Sequence, residues 1–160
     1  MNEIIKSLEN LVALHDELLQ FSERKTEIIK EGSIEKLQKV IVKERKLVRQ
    51  VEQAEKERSS LVEVWYVAND FPIEEATVTD MLEKTTDEHE KVALEEVTIK
   101  LTKAITNLKA NEQLNIALIN QSMQFVQVSL DLLSPSLKNL NYGDQSEREE
   151  PGRSVFDSKA

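Results

Sequence analysis

The residues able to do chemistry are few in kind. Histidine occurs twice, at His15 and His89, and cysteine is absent. Neither histidine belongs to a Glu-x-x-His pair, so nothing supports a di-iron carboxylate bundle. Neither stands at metal-ligand spacing from the other. The 30 Asp and Glu residues fall on helical stretches and read mainly as solvated surface. Three glycines cannot easily supply a phosphate-binding loop or a serine elbow. The reading is of a non-enzyme: catalytic residues none, metal none, cofactors none. His15 lies on the seam of the first helix, where it reads as a packed or hydrogen-bonded residue at the core edge; His89 reads as solvent-facing. Trp65-Tyr66 has two readings, an aromatic anchor for a partner or burial at a bundle end, and burial is favoured.

Composition narrows the class. The chain has 160 residues, enough for one domain with a worthwhile core. A net charge of -9 leaves no Lys/Arg excess to neutralise phosphates, which argues against nucleic acid and against anionic membrane. The absence of cysteine fits a reducing compartment. The opening MNEIIKSLENL carries Glu3 and Glu9 and no continuous apolar stretch, unlike a secretory signal. The longest apolar run, Val64 to Ala68, is too short to span a bilayer. A soluble, cytoplasmic, helical protein without stable membrane insertion is expected.

The elements follow from periodicity and punctuation. Residues 2–30 read as a first helix, with Ile4, Leu8, Leu11, Leu18 and Ile29 near one seam and Asn2 as a possible cap. Gly32 suits a left-handed helix end and Ser33 a new N-cap, so the second helix folds back antiparallel over 34–68. Its seam positions carry Ile34, Leu37, Ile41, Glu44, Val48, Val51, Glu55, Arg58, Val62 and Trp65. The charged members mark a wet or looser seam, since a buried charge needs a partner. Asn69-Asp70-Phe71-Pro72 stops the helix. The connector 69–86 reads as a cap over the bundle end with one short helix and Thr77 as a possible cap. A third long helix, 87–133, is capped by Thr86 and stopped by Ser134-Pro135-Ser136. At 1.5 Å per residue it is about 70 Å long. Its apolar positions include Val92, Leu101, Ile105, Leu108, Leu114, Leu118, Phe125, Val126, Leu130 and Leu133.

That third helix changes character along its length. Solvated positions are mostly charged up to Lys109. From Asn111 to Leu130 they are amides: Asn111, Gln113, Asn115, Asn120, Gln121, Gln124 and Gln127, with Glu112 the lone charge. A surface of amides and apolar groups loses less solvation when covered, which makes it a contact surface. The other reading has the amides buried and bonded to one another. The fold class is all-α: an elongated antiparallel three-helix bundle or coiled coil over 1–134, with a short capping segment and a flexible C-terminal tail at 135–160. Two islands in that tail, Leu140 to Gly143 and Ser154 to Asp157, read as segments that order on binding or as parts of a solubilising tail.

The chain resembles the FlgN family of flagellar type III export chaperones, in a Gram-positive, Bacillus-type form. The resemblance spans the full length. It rests on Leu11 to Leu19 (LVALHDELL), the Lys30 to Leu37 turn, the Asn-rich 111–120 stretch, Asn141-Tyr142-Gly143, and the terminal Ser154 to Ala160 (SVFDSKA). It implies a cytoplasmic, non-enzymatic chaperone that holds the hook–filament junction proteins FlgK and FlgL, prevents their premature assembly and delivers them to the cytoplasmic domain of the export-gate protein FlhA. Client binding then falls on Asn111, Asn115, Leu118, Gln121, Phe125 and Leu130, gate contact on Tyr142, and tail recognition on Val155 and Phe156, in a monomer. The alternatives are a self-associating structural coiled coil, or a chaperone of a different flagellar client such as the filament cap or flagellin.

Overall fold

The computed structural model describes residues 1–73 and 76–142, with side chains up to residue 133. Four helices follow in order: α1 (Asn2–Glu31), α2 (Ile34–Ala68), α3 (Val78–Lys84) and α4 (Glu88–Tyr142). The described elements are all helical, and α1 contacts both α2 and α4. The chain divides into two compact units, Met1–Ile119 and Asn120–Ala160, a boundary that falls inside α4.

Local chemistry sets the helix ends. Gly32 adopts φ 70°, ψ 18°; its N–H donates to Ile29 O at 3.0 Å and that of Ser33 to Ile28 O at 3.4 Å, the paired bonds of a Schellman end. Ser33 is the N-cap of α2 by backbone geometry, but its hydroxyl makes no capping bond. Asn2 is the first helical residue and Met1 the N-cap, so the expected Asn2 cap is not formed. Thr77 does cap α3, accepting from Asp80 N at 3.1 Å. At the start of α4 the capping side chain is Asp87, not Thr86: Oδ1 of Asp87 accepts from His89 N at 2.8 Å and Glu90 N at 3.1 Å. A carboxylate there also meets the positive helix end, an advantage a hydroxyl lacks.

Within Met1–Ile119 the apolar core gathers Ile4, Ile5, Leu8 and Leu11 of α1, Ala54, Val62 and Tyr66 of α2, Met81 of α3, and Leu94 and Val97 of α4. The α1 seam agrees with the sequence spacing. On α2 the buried residues are Val62, on the expected seam, and Leu47, Ala54 and Tyr66 directly beside it, whereas Ile34 and Val48 are exposed. On α4 the inward residues are Leu94, Val97 and Ala104, with Leu101 and Leu108 half-buried; Val92, Ile105 and Leu114 face out. Inward residues 94, 97, 101, 104 and 108 alternate three and four apart, as a bundle seam requires.

Tyr66 closes the core beneath α3, so burial decides the Trp65-Tyr66 question. Its hydroxyl donates to Asp80 Oδ2 at 2.5 Å, and Trp65, Tyr66 and Phe71 cluster with ring centroids 5.2–6.3 Å apart. The Lys84 ammonium bridges to Asp80 at 2.7 Å and lies 5.1 Å and 4.9 Å from the Tyr66 and Phe71 ring centres. Together the Lys84 ammonium and the Tyr66 hydroxyl hold the Asp80 carboxyl below its usual range.

Helix α4 continues past Ser134-Pro135-Ser136 to Tyr142. Proline at 135 deletes one N–H donor and crowds the carbonyl four residues back, at about 3 kcal/mol in a helix interior. The helix end therefore lies nine residues beyond the expected stop at Leu133, and Tyr142 closes the element instead of sitting in a tail.

Candidate interaction surface

Two features of the long helices stand apart from ordinary apolar packing. The first is a layer of polar side chains where α1 meets α2 and α4. Lys25 is 7% exposed, and its ammonium reaches Glu44 on α2 at 2.6 Å and Glu112 on α4 at 2.9 Å. Ser22, fully buried, donates to Glu112 and accepts from Asn111 Nδ2 at 2.8 Å and Asn115 Nδ2 at 3.1 Å. Asn115 is 1% exposed; its Nδ2 also donates to the Ser22 carbonyl at 3.0 Å, and its Oδ1 accepts from the Thr26 hydroxyl at 2.7 Å. Among the described residues no buried side-chain nitrogen or oxygen lacks a partner. That is the condition under which a buried polar layer is tolerable.

The layer sets its own protonation states. Burial is the largest influence on Lys25 and works against its charge. The hydrogen bonds and attraction of Glu112 and Glu44 outweigh it, and the ammonium pKa is raised. For Glu112, burial again opposes the charged form, and the Lys25 and Ser22 hydrogen bonds overcome it, so the carboxyl is held below its ordinary value. Both shifts favour the charged forms of Lys25 and Glu112, which here serve structure. Glu44, which interrupts the α2 seam in sequence, is thus the partner that Lys25 needs.

The second feature is the second half of α4. Gln121, Phe125 and Leu130 are exposed, Phe125 at 73%, together with Met123, Val126, Val128, Leu132 and Leu133. Leu118 is half-buried in the first unit. Between Gln113 and Leu130 there is no charged residue, so this is a long helical surface that is apolar, amide and hydroxyl in character. Contiguous exposed apolar surface of that kind is uncommon on a monomeric protein and makes this stretch the candidate interaction surface.

The six residues expected to meet a client therefore divide. Leu118, Gln121, Phe125 and Leu130 remain accessible wholly or in part. Asn111 and Asn115 turn to α1 instead and spend their amides on Ser22 and Thr26, which is the buried alternative for the amides. Their positions carry the signal that their residue type concealed: 101, 104, 108, 111, 115 and 118 continue the three-and-four alternation of the α4 seam. The seam reading also misses Ser22, Lys25 and Thr26, which occupy inward positions of α1. Tyr142 ends α4 without a described side chain, and Val155 and Phe156 lie outside the described residues. His15 contacts the Leu11 carbonyl through Nδ1 at 2.7 Å at the core edge; His89 is exposed. Among the described residues no group of three or more His, Cys, Asp or Glu could hold a metal. None of the described helices is long and apolar enough to cross a membrane.

Comparison with known proteins supplies the remaining finding. A family model described as "FlgN protein" matches residues 1–150. The Bacillus subtilis (strain 168) protein YvyG, described as uncharacterized, is 32% identical over 160 residues, covering 98% of this chain and 97% of that protein. No solved structure matches.

Proposed function

The chain belongs to the FlgN family, and from that premise we propose that it is a cytoplasmic flagellar export chaperone with FlgK and FlgL as clients. The observation that carries this reading is the exposed, nearly uncharged apolar surface of α4 between Gln121 and Leu133. Junction-protein ends with amphipathic helices have no filament core to enter before export. Packing their apolar faces on α4 keeps them from assembling early, in the helix-in-groove mode. Leu118, Phe125 and Leu130 are the apolar anchors and Gln121 an adaptable polar neighbour, an arrangement suited to an affinity low enough for release. Handover at the FlhA cytoplasmic domain is assigned to Tyr142, and further recognition to Val155 and Phe156.

Calorimetric titration of purified FlgK and FlgL tests the reading. Substituting Phe125 by Ala should weaken binding at least tenfold, about 1.4 kcal/mol, with helix content intact. Unchanged affinity in this variant and in Leu118→Ala refutes the assignment. For the gate, capture of the FlhA cytoplasmic domain by client-loaded Tyr142→Ala protein should fall; full capture removes Tyr142 from the reading. Sedimentation of the client-free chain as a stable oligomer would favour the structural coiled coil instead.

A further inference from the structure

We infer that the free part of α4 is built to be sandwiched, accepting two helical segments of one client chain, one on each of two apolar faces. The inference rests on the chaperone reading above and specifies its partner. At 3.6 residues per turn, successive side chains advance by about 100°. Met123, Val126, Leu130 and Leu133 then fall within about 80° of arc, three and four apart, and the described side chains are all exposed. Gln121, Phe125, Val128 and Leu132, also three and four apart, form a second face centred about 150° away, likewise exposed.

The intervals between the faces differ. One side carries Asn120, Gln124, Gln127 and Asp131, a hydrophilic strip in which Gln127 Nε2 donates to Asp131 Oδ1 at 3.0 Å. The other carries only Ser122 and Ser129, and the Ser129 hydroxyl donates back to the Phe125 carbonyl at 2.8 Å. Small serines let neighbouring helices approach closely. Measured across them, the apolar arc spans about 220°. A single helix–helix contact covers a stripe of roughly 100°. Two segments are therefore needed, meeting over the serines and leaving the amide strip in water.

Charge selects the occupant. A second copy of this chain could cover one face and would leave the other bare. Copies on both faces would build an open-ended stack in which every chain adds a net charge of -9. One client chain that folds back on itself covers both faces and closes the arrangement. The surface between Gln113 and Leu130, being uncharged, asks of it two amphipathic helices with apolar faces and no fixed charge pattern.

Val126 and Val128 give a matched test, being the same residue type, 55% and 57% exposed, on opposite faces. In full-length protein, Val126→Glu, Val128→Glu and, on the amide strip, Gln124→Glu would each be titrated with full-length FlgK by calorimetry. Circular dichroism and sedimentation would verify fold and monomeric state. The expected result is a tenfold or greater loss of affinity for each valine variant, with Gln124→Glu within twofold of the parent. Loss at only one valine overturns the two-segment sandwich while leaving the chaperone reading intact. Loss at all three positions overturns it too, because no face would then remain in solvent. Failure of the parent chain to bind FlgK removes the chaperone reading and the sandwich together.

Discussion

Replacing Lys25 by Met isolates the polar layer, because methionine keeps the length of the side chain and deletes its charge. In the parent, one ammonium serves two carboxylates, Glu44 at 2.6 Å and Glu112 at 2.9 Å, from a side chain 9% exposed. Breaking a fully buried pair costs about 3–5 kcal/mol, largely because the remaining charge is stranded. Glu112, with about a third of its side chain in water, recovers part of that solvation. Discounting for that exposure leaves an expected loss of about 2–3 kcal/mol at neutral pH. The pH dependence separates charge from packing. The Lys25 pKa is raised, so its contribution is complete below the unfolded value of about 10.4 and is lost as pH rises through the folded value. The Glu112 pKa is lowered, so its contribution is present above the unfolded value of about 4.3 and is lost as pH falls through the folded one. Urea unfolding of parent and Lys25→Met across pH should thus give the largest difference in the interval between, narrowing at either end. A difference below about 0.5 kcal/mol at neutral pH, within the range of an ordinary surface change, would refute the electrostatic account. So would one that persists undiminished in acid.

Further outcomes are expected from unfolding by urea, heat or acid. Gly32→Ala should cost about 1 kcal/mol from φ 70° alone, since a Cβ there meets nothing within 4 Å; a neutral result would mean the turn readily relaxes. Leu94→Ala, at a fully buried site, should cost about 2–5 kcal/mol. Leu132→Ala, at a site 75% exposed, should stay within about 0.5 kcal/mol, and equal losses at the two sites would contradict the division between core and free surface. Asp80→Asn should remove an acid-side dependence: the lowered carboxyl pKa stabilises above about 3.9 and ceases to do so as pH falls through the folded value. Acid-unfolding curves that coincide for parent and variant would rule this out.

Sequence spacing made the helices legible and their inward faces only partly so. Gly32-Ser33 and Asn69 to Pro72 mark chain reversals through backbone rules that tertiary contacts seldom override, and α2 has the expected span, Ile34–Ala68. Faces are harder, because α2 and α4 carry apolar residues round much of their circumference. Ile34 and Val48 satisfy a seam pattern as well as Leu47 and Ala54 do, and only packing against α1 selects between them. Asn111 and Asn115 illustrate the opposite difficulty. Their chemistry suggests surface, whereas their register suggests core, and the register prevails because Ser22 and Thr26 wait on α1 with matching donors and acceptors. Phe125 and Leu130 are accessible within a stretch dense in exposed apolar residues.

Apolar spacing along α4 creates a register problem which the polar layer resolves. The three-and-four alternation of α4 from Leu94 to Leu118 is apolar except at Asn111 and Asn115, so apolar contacts alone would tolerate a slip of α4 by one heptad against α1. The polar layer does not tolerate it. A seven-residue slip would set Ile105 or Ile119, in place of Glu112, beside the Lys25 ammonium, and Leu108 or Ser122, in place of Asn115, beside Thr26. Stranding a buried ammonium costs several kcal/mol, more than one displaced apolar layer returns elsewhere on a helix already rich in such residues. A polar residue at a seam position commonly fixes register in this way, at some cost in stability. The layer holds Glu112 and Asn115 against α1 and so fixes the register of α4 within Met1–Ile119.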